Sequence, residues 1–179
     1  MHLQLSSHSP KDTKTHGQRI GQFLQAGDVV CLYGELGSGK TVLTKGLAKG
    51  LGVPREDVVR SPSFVLIHQY EGRIPVYHVD LFRLDGPADL DDIGLRELLA
   101  GEGVVIVEWA DKLGPLRPEE RLDITLQHGD AETRLITVRP WGPRYLQLTE
   151  LWWTHVASLT CLPSGRQVPL PTPIAETRT

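Results

Sequence analysis

Residues 29–47, VVCLYGELGSGKTVLTKGL, run from an apolar β-rich segment through a glycine-rich turn into a helical repeat. Gly34, Gly39, Lys40 and Thr41 satisfy G-x-x-x-x-G-K-[ST], and strand, loop and helix follow in the order this pattern needs. VVCLY reads as a strand buried on both faces, as inside a parallel sheet. Gly34, Gly37 and Gly39 admit backbone angles closed to residues with a side chain, so successive N–H groups can turn inward around a phosphate. A helix beginning near Lys40 adds the positive end of its dipole. Lys40 brings a mobile full charge, and the Thr41 hydroxyl is a hard oxygen ligand suited to Mg²⁺. The expected phosphate-binding set is therefore Gly34, Glu35, Leu36, Gly37, Ser38, Gly39, Lys40, Thr41 and Val42. What the nucleotide is used for is not written in this loop.

Around this centre the pattern alternates between helix and strand. Ile20, Phe23 and Leu24 place a helix over residues 13–25, and Val42, Leu43, Leu47 and Leu51 place a second one, closed by Gly50, Gly52 and Pro54. RSPSFVLIHQY and RIPVYHVDLFRL read as strands joined at the turn signal YEGR. GPADLDDIGLRELLAGEG predicts one or two short helices, with DLDD (89–92) an acidic helix start. GVVIVEW is another apolar strand, and RLDITLQHGDAETRLITVRP reads as two alternating strands. The expected fold is α/β: a three-layer domain of the P-loop NTPase type, its sheet mostly parallel, with antiparallel strands near residues 121–139. Residues 1–140 would form this domain. Residues 141–179 read as an extension, with a short helix at 144–153 and disorder over the last fifteen or so residues.

Composition limits the partners. A formal charge of −3 and a pI near 6.2 leave no bulk positive field for nucleic acid or acidic lipid. Any RNA partner needs a local patch or a second protein. Two cysteines, Cys31 and Cys161, fit a reducing compartment better than a disulfide scaffold. The N-terminus has no apolar signal core, and no run of about eighteen apolar residues occurs, so the expected location is the cytoplasm, away from membranes.

A phosphate loop alone hydrolyses nothing; Mg²⁺ needs an acidic partner and a water must be oriented. Asp80 follows the run PVYHV and Glu108 follows GVVIV, and pattern alone does not decide which one serves the metal. Ser61–Phe64 form a loop where nucleotide switches often lie, or a proline turn with Phe64 in the core. His78 and Asp80 share one side of a strand, so His78 is either an orienter of Asp80, a partner contact or a satisfied interior histidine, whereas Trp109 points away from Glu108, either into the core or exposed near the nucleotide. Arg83 is either a charge stabiliser in cis or a surface arginine, and Trp152 and Trp153 are either a partner anchor or domain packing. Thr13 and Lys11, before the first predicted strand, are the candidates for adenine contact. No N-K-x-D motif appears, which favours ATP over GTP.

GELGSGKT, SPSFVL, YHVDLFRL, IGLRELL and VVIVEWADKL together resemble, in order and spacing, the TsaE (YjeE) family of bacterial ATPases, over roughly residues 13–140. The resemblance implies a protein needed to make threonylcarbamoyl-adenosine beside the anticodon of tRNAs that read codons beginning with A. It implies ATP and Mg²⁺ as cofactors, with Thr41 and Glu108 on the metal and Asp80 at the γ-phosphate or its attacking water, so that Asp80 and Lys40 carry the chemistry. TsaD and TsaB homologues are the implied partners, tRNA is met through them, and turnover without them is slow. The chain departs from the family pattern at Ser63, where threonine is usual, and at Phe82, where tyrosine is usual. A small-molecule kinase and a nucleotide-dependent binding module are the alternatives.

Overall fold

The computed structural model describes residues 2–84, 90, 93–130, 133–159 and 172–174. The strands are β1 (His2–Ser7), β2 (Val29–Tyr33), β3 (Ile67–Tyr70), β4 (Val76–Asp80), β5 (Val104–Glu108), β6 (Arg121–His128), β7 (Arg134–Trp141) and β8 (Thr172–Ile174). The helices are α1 (Pro10–Gly21), α2 (Lys40–Gly50), α3 (Leu95–Leu99) and α4 (Pro143–Leu159). All eight strands join one sheet in the order β3-β4-β5-β2-β6-β7-β1-β8. Its centre, β4-β5-β2-β6, is parallel. Antiparallel pairs flank it: β3 on β4 at one side, and β7, β1 and β8 beyond β6 at the other.

The apolar runs of β2 and β5 are buried on both faces because each face meets a separate core. Val30, Leu32 and Ile106 point into the larger one, with Leu43 and Leu47 of α2, Ile20 of α1 and Trp152 of α4. Val29, Cys31, Val105 and Val107 point into the other, with Leu90, Leu95 and Leu113. That second layer stops at β2. On β6 and β7 one face is core (Leu122, Ile124, Leu126, Ile136, Val138), whereas the opposite face carries polar residues and no helix among the described residues.

Helix α1 starts earlier than its apolar spacing implies. Ser9 caps it, accepting the Asp12 N–H at 3.1 Å, with Pro10 at the first position. It ends at Gly21, so Phe23 and Leu24 pack from the loop that follows. The two helices approach backbone to backbone. A Cβ on Gly17 would lie 2.5 Å from the Leu43 carbonyl oxygen and one on Gly21 2.3 Å from that of Leu47. Reciprocally, a Cβ on Gly46 would lie 2.2 Å from the Lys14 carbonyl oxygen and one on Gly50 2.2 Å from that of Gln18. The Arg73 guanidinium then donates to the carbonyls of Gly21, Gln22, Leu24 and Gly50, closing both helix C-termini at once.

The C-terminal stretch is more structured than its composition suggests. Helix α4 reaches residue 159, and its Tyr145, Leu148 and Trp152 enter the same core as α1 and α2. The Tyr145 hydroxyl accepts the Val29 N–H at 2.6 Å, and Arg144 pairs with the buried Asp28 at 2.8 Å. Strand β8 falls where disorder was expected and pairs with β1, a short strand whose Leu3 and Leu5 alternate into the core and which the sequence reading did not assign. Residues 89, 91 and 92 of the acidic stretch lie outside the described residues.

Candidate nucleotide site

The phosphate loop leaves β2 at Gly34 and enters α2 at Lys40. Gly34 has φ +138° and a hypothetical Cβ there would sit 2.3 Å from the Leu126 carbonyl oxygen, so the position accepts only glycine. Gly37 and Gly39 have φ of +77° and +105°, and Gly39 caps α2 without a side chain, which leaves the first N–H groups of the helix free for a ligand.

Lys40 is 5% exposed, and its ammonium bridges the loop by donating to the carbonyls of Gly34 (2.6 Å) and Glu35 (2.9 Å). Burial pulls its pKa down, against the opposing pull of Glu108, Asp80 and Asp111. The Trp109 ring lies 3.8 Å below the ammonium. Strand alternation puts Trp109 opposite Glu108, but its backbone is left-handed (φ 59°, ψ 44°), which ends β5 and turns the indole toward Lys40. Phe82 stacks on the same indole at 5.0 Å.

Glu108 and Asp80 end neighbouring parallel strands in direct register, so both carboxylates arrive at the same sheet edge. Their partners differ. Glu108 accepts the Thr41 hydroxyl at 3.0 Å on one oxygen, and on the other His78 Nε2 at 2.8 Å and Thr44 at 3.4 Å. His78 is therefore an interior histidine that holds Glu108, not Asp80, and its Nδ1 is buried without a partner among the described residues. Asp80 accepts the Ser61 hydroxyl, the Ser63 hydroxyl at 2.8 Å and the Phe82 N–H at 3.0 Å. The SPSF loop thus rests on Asp80, while Phe64 is 84% exposed with Arg83 4.2 Å over its ring. Its place is the cleft rim, not the core.

Lys40, Thr41, Ser61, Ser63, Asp80 and Glu108 face one cleft of about 520 Å³, with Leu36 and Val42 also on its wall. A smaller cavity of about 210 Å³ lies on the other side of Gly37 and Gly39, lined by Ser9, Thr13, Ser38, Val42 and Arg134. Thr13 thus borders the loop, whereas Lys11 is exposed and lines neither cavity. Arg134 donates to the Ser38 carbonyl at 3.2 Å, and the buried Ser38 hydroxyl has no partner among the described residues. Sequence reading had no means to find Arg134, since it joins the loop only through the pairing of β7 with β6.

A glycine loop between a parallel strand and a helix, with paired carboxylates at the strand ends, defines a fold of the P-loop NTPase type. The family model for "Threonylcarbamoyl adenosine biosynthesis protein TsaE" matches residues 7–136. The chain belongs to the TsaE family. It is 41% identical over 143 residues to the tRNA threonylcarbamoyladenosine biosynthesis protein TsaE of Bacillus subtilis, covering 79% of this chain and 88% of that protein. The Treponema pallidum protein of the same name is 41% identical over 136 residues, covering 76% and 99%. Among solved structures, Bacillus subtilis YdiB superposes with a TM-score of 0.74 at 36% identity, covering 87% of this chain and 97% of that one. Among the described residues no helix is long and apolar enough to cross a membrane.

Proposed function

We propose that the protein is a Mg²⁺-dependent ATPase of cytoplasmic tRNA threonylcarbamoyl-adenosine synthesis, acting with TsaD and TsaB homologues. The observation that carries this reading is the cluster at the loop: Thr41 and Glu108 oxygens 3.0 Å apart, Lys40 beside them, and Asp80 at the end of the adjacent strand. The donor set fits the cofactors. A hydroxyl and a carboxylate are hard oxygens suited to Mg²⁺, and the orphaned Ser38 hydroxyl and the uncapped N-terminus of α2 suit phosphate.

Thr41 and Glu108 would hold the metal, with His78 and Thr44 fixing the orientation of Glu108. The metal supplies charge neutralisation across the phosphates. Lys40 would exchange the carbonyls of Gly34 and Glu35 for phosphate oxygens, which offer its charge a stronger partner. Asp80 would orient the attacking water. A bare carboxylate beside a triphosphate is repelled, so its task is better done through a water than on phosphate oxygen. Its hydrogen bonds to Ser61 and Ser63 occupy the acceptor that this water needs, so the SPSF loop has to shift for turnover. That loop fits the slow hydrolysis expected without partners. The nucleoside end would lie toward Thr13 and Arg134, on the far side of the loop from Asp80.

Phosphate release from ATP, with and without the partner proteins, tests the reading. Lys40→Ala should abolish release and repeated tRNA modification in the reconstituted system. Asp80→Ala should cut turnover while leaving ATP affinity nearly unchanged. Activity indifferent to Lys40, or ATP affinity that collapses with Asp80, would refute these assignments.

A further inference from the structure

A second cleft, about 640 Å³, opens on the uncovered face of β6 and β7 and shares no lining residue with either cavity at the phosphate loop. Its floor is built around Asp123. One carboxylate oxygen accepts Arg121 Nε at 2.9 Å and the Tyr33 hydroxyl at 3.1 Å; the other accepts a second Arg121 nitrogen at 3.1 Å and the Trp141 indole N–H at 2.6 Å. Four donors consume the carboxylate, so Asp123 organises the floor and does not repel an anion above it. The carboxylate fixes an aromatic plane: Trp141 is 40% exposed, with the Arg121 guanidinium 4.7 Å and the Arg139 guanidinium 5.9 Å from its ring centroid.

Two cations face this platform uncommitted. Arg117 and Arg139 are exposed and form no ion pair among the described residues, and Glu119 opposes them with one charge. Thr125 and Thr137, cross-strand partners in register, add hydroxyls between them. Positive charge beside an exposed, anchored aromatic plane is the chemistry that takes single-stranded nucleic acid: bases stack on the ring while guanidiniums meet phosphates. An acidic polypeptide would satisfy the arginines but bring no planar partner for the indole.

The geometry points to a direct binding surface for a short single-stranded RNA segment on this face, with Trp141 as the stacking platform and Arg117 and Arg139 on the backbone. The choice of RNA rests on the proposed role in tRNA modification; the surface itself does not depend on the nucleotide site. It supplies the local patch that the overall charge of −3 otherwise denies the chain.

Fluorescence anisotropy of a labelled single-stranded RNA of about twelve nucleotides, added to the full chain, tests it. Two phosphate contacts predict a slope of log affinity against log salt of about −1.4. Arg139→Glu and Trp141→Ala should each weaken binding by about tenfold while leaving ATP turnover unchanged. Arg117→Glu, outside the sheet, should do the same if a strand variant fails to fold. Lys40→Ala should leave RNA binding intact, which separates failure of this surface from failure of the nucleotide site. No RNA binding, binding indifferent to all three variants, or a cleft that takes polyglutamate in place of RNA would each overturn the inference.

Discussion

Gly46→Ala should loosen the protein although alanine is the better helix former. Exchange of glycine for alanine inside a free helix is worth about 0.8–1 kcal/mol in favour of alanine. At Gly46 the new methyl would lie 2.2 Å from the Lys14 carbonyl oxygen, 3.0 Å from the Gln18 nitrogen and 3.0 Å from the Gly17 Cα. All three are backbone atoms of α1, so no rotamer change relieves them. Helix α1 must recede by about 1 Å to restore ordinary contact distances, which forfeits a good part of the dispersion energy along the seam. Overpacking of a tight interior costs about 1–3 kcal/mol before the propensity gain is credited, and immovable neighbours put this site at the upper end, for a net loss of about 1–2 kcal/mol. Urea unfolding at 25 °C measures it, with the exposed Lys49→Ala as a control expected within about 0.5 kcal/mol of wild type. Gly17→Ala should couple to it, because a seam opened by one methyl accommodates the other more cheaply, so the double variant should lose less than the sum. A Gly46→Ala protein as stable as wild type, or single losses that simply add, would refute backbone contact between α1 and α2.

Further expectations follow from the same contacts. His78→Asn, which weakens the support of Glu108, should raise the Mg²⁺ concentration for half-maximal ATP turnover by about tenfold while Mg²⁺-free nucleotide binding is unchanged. Trp152→Ala should cost about 3–5 kcal/mol in chemical unfolding, and a chain ending at residue 141 should not fold stably, because it lacks Tyr145, Leu148 and Trp152. In a Cys161→Ser chain, Cys31 should resist an aromatic disulfide reagent at pH 8 until urea unfolds the protein, since burial pushes its thiol up to about 12. Because the folded thiol titrates above the 9.0 of a free one, this contribution to stability is complete below pH 9.0 and is lost progressively as the pH rises toward 12.

The phosphate loop and the buried parallel strands were legible because each is a local pattern whose chemistry lies within a few residues. Asp80 and Glu108 were legible as strand-end acids, and parallel register then brings them together. Four features were not. The start of α1 depends on a Ser9 cap in a segment without apolar periodicity. Trp109 defeats alternation through one left-handed residue. Arg134 reaches the loop only through tertiary pairing of strands. The glycines of α1 and α2 look like helix weaknesses along the chain, and their use appears only when the partner helix is in place. At Phe64 the sequence left two readings open, and the core one fails: the loop is held by its two serines on Asp80 and leaves the ring outside.

The glycine seam also decides which walls of the cleft can move. Thr13 rides on α1, Lys40 and Thr41 ride on α2, and the two helices touch through main chain along four glycines. The wall beside Thr13 and the glycine loop with Lys40 and Thr41 are therefore one rigid jaw. On the opposite side, Ser61 and Ser63 reach Asp80 through side-chain hydrogen bonds, and the loop runs on into the exposed Phe64. In the proposed function, a site built this way would grip the nucleotide with a fixed half and sense the terminal phosphate with a hinged one, so affinity and timing would be tuned by different residues.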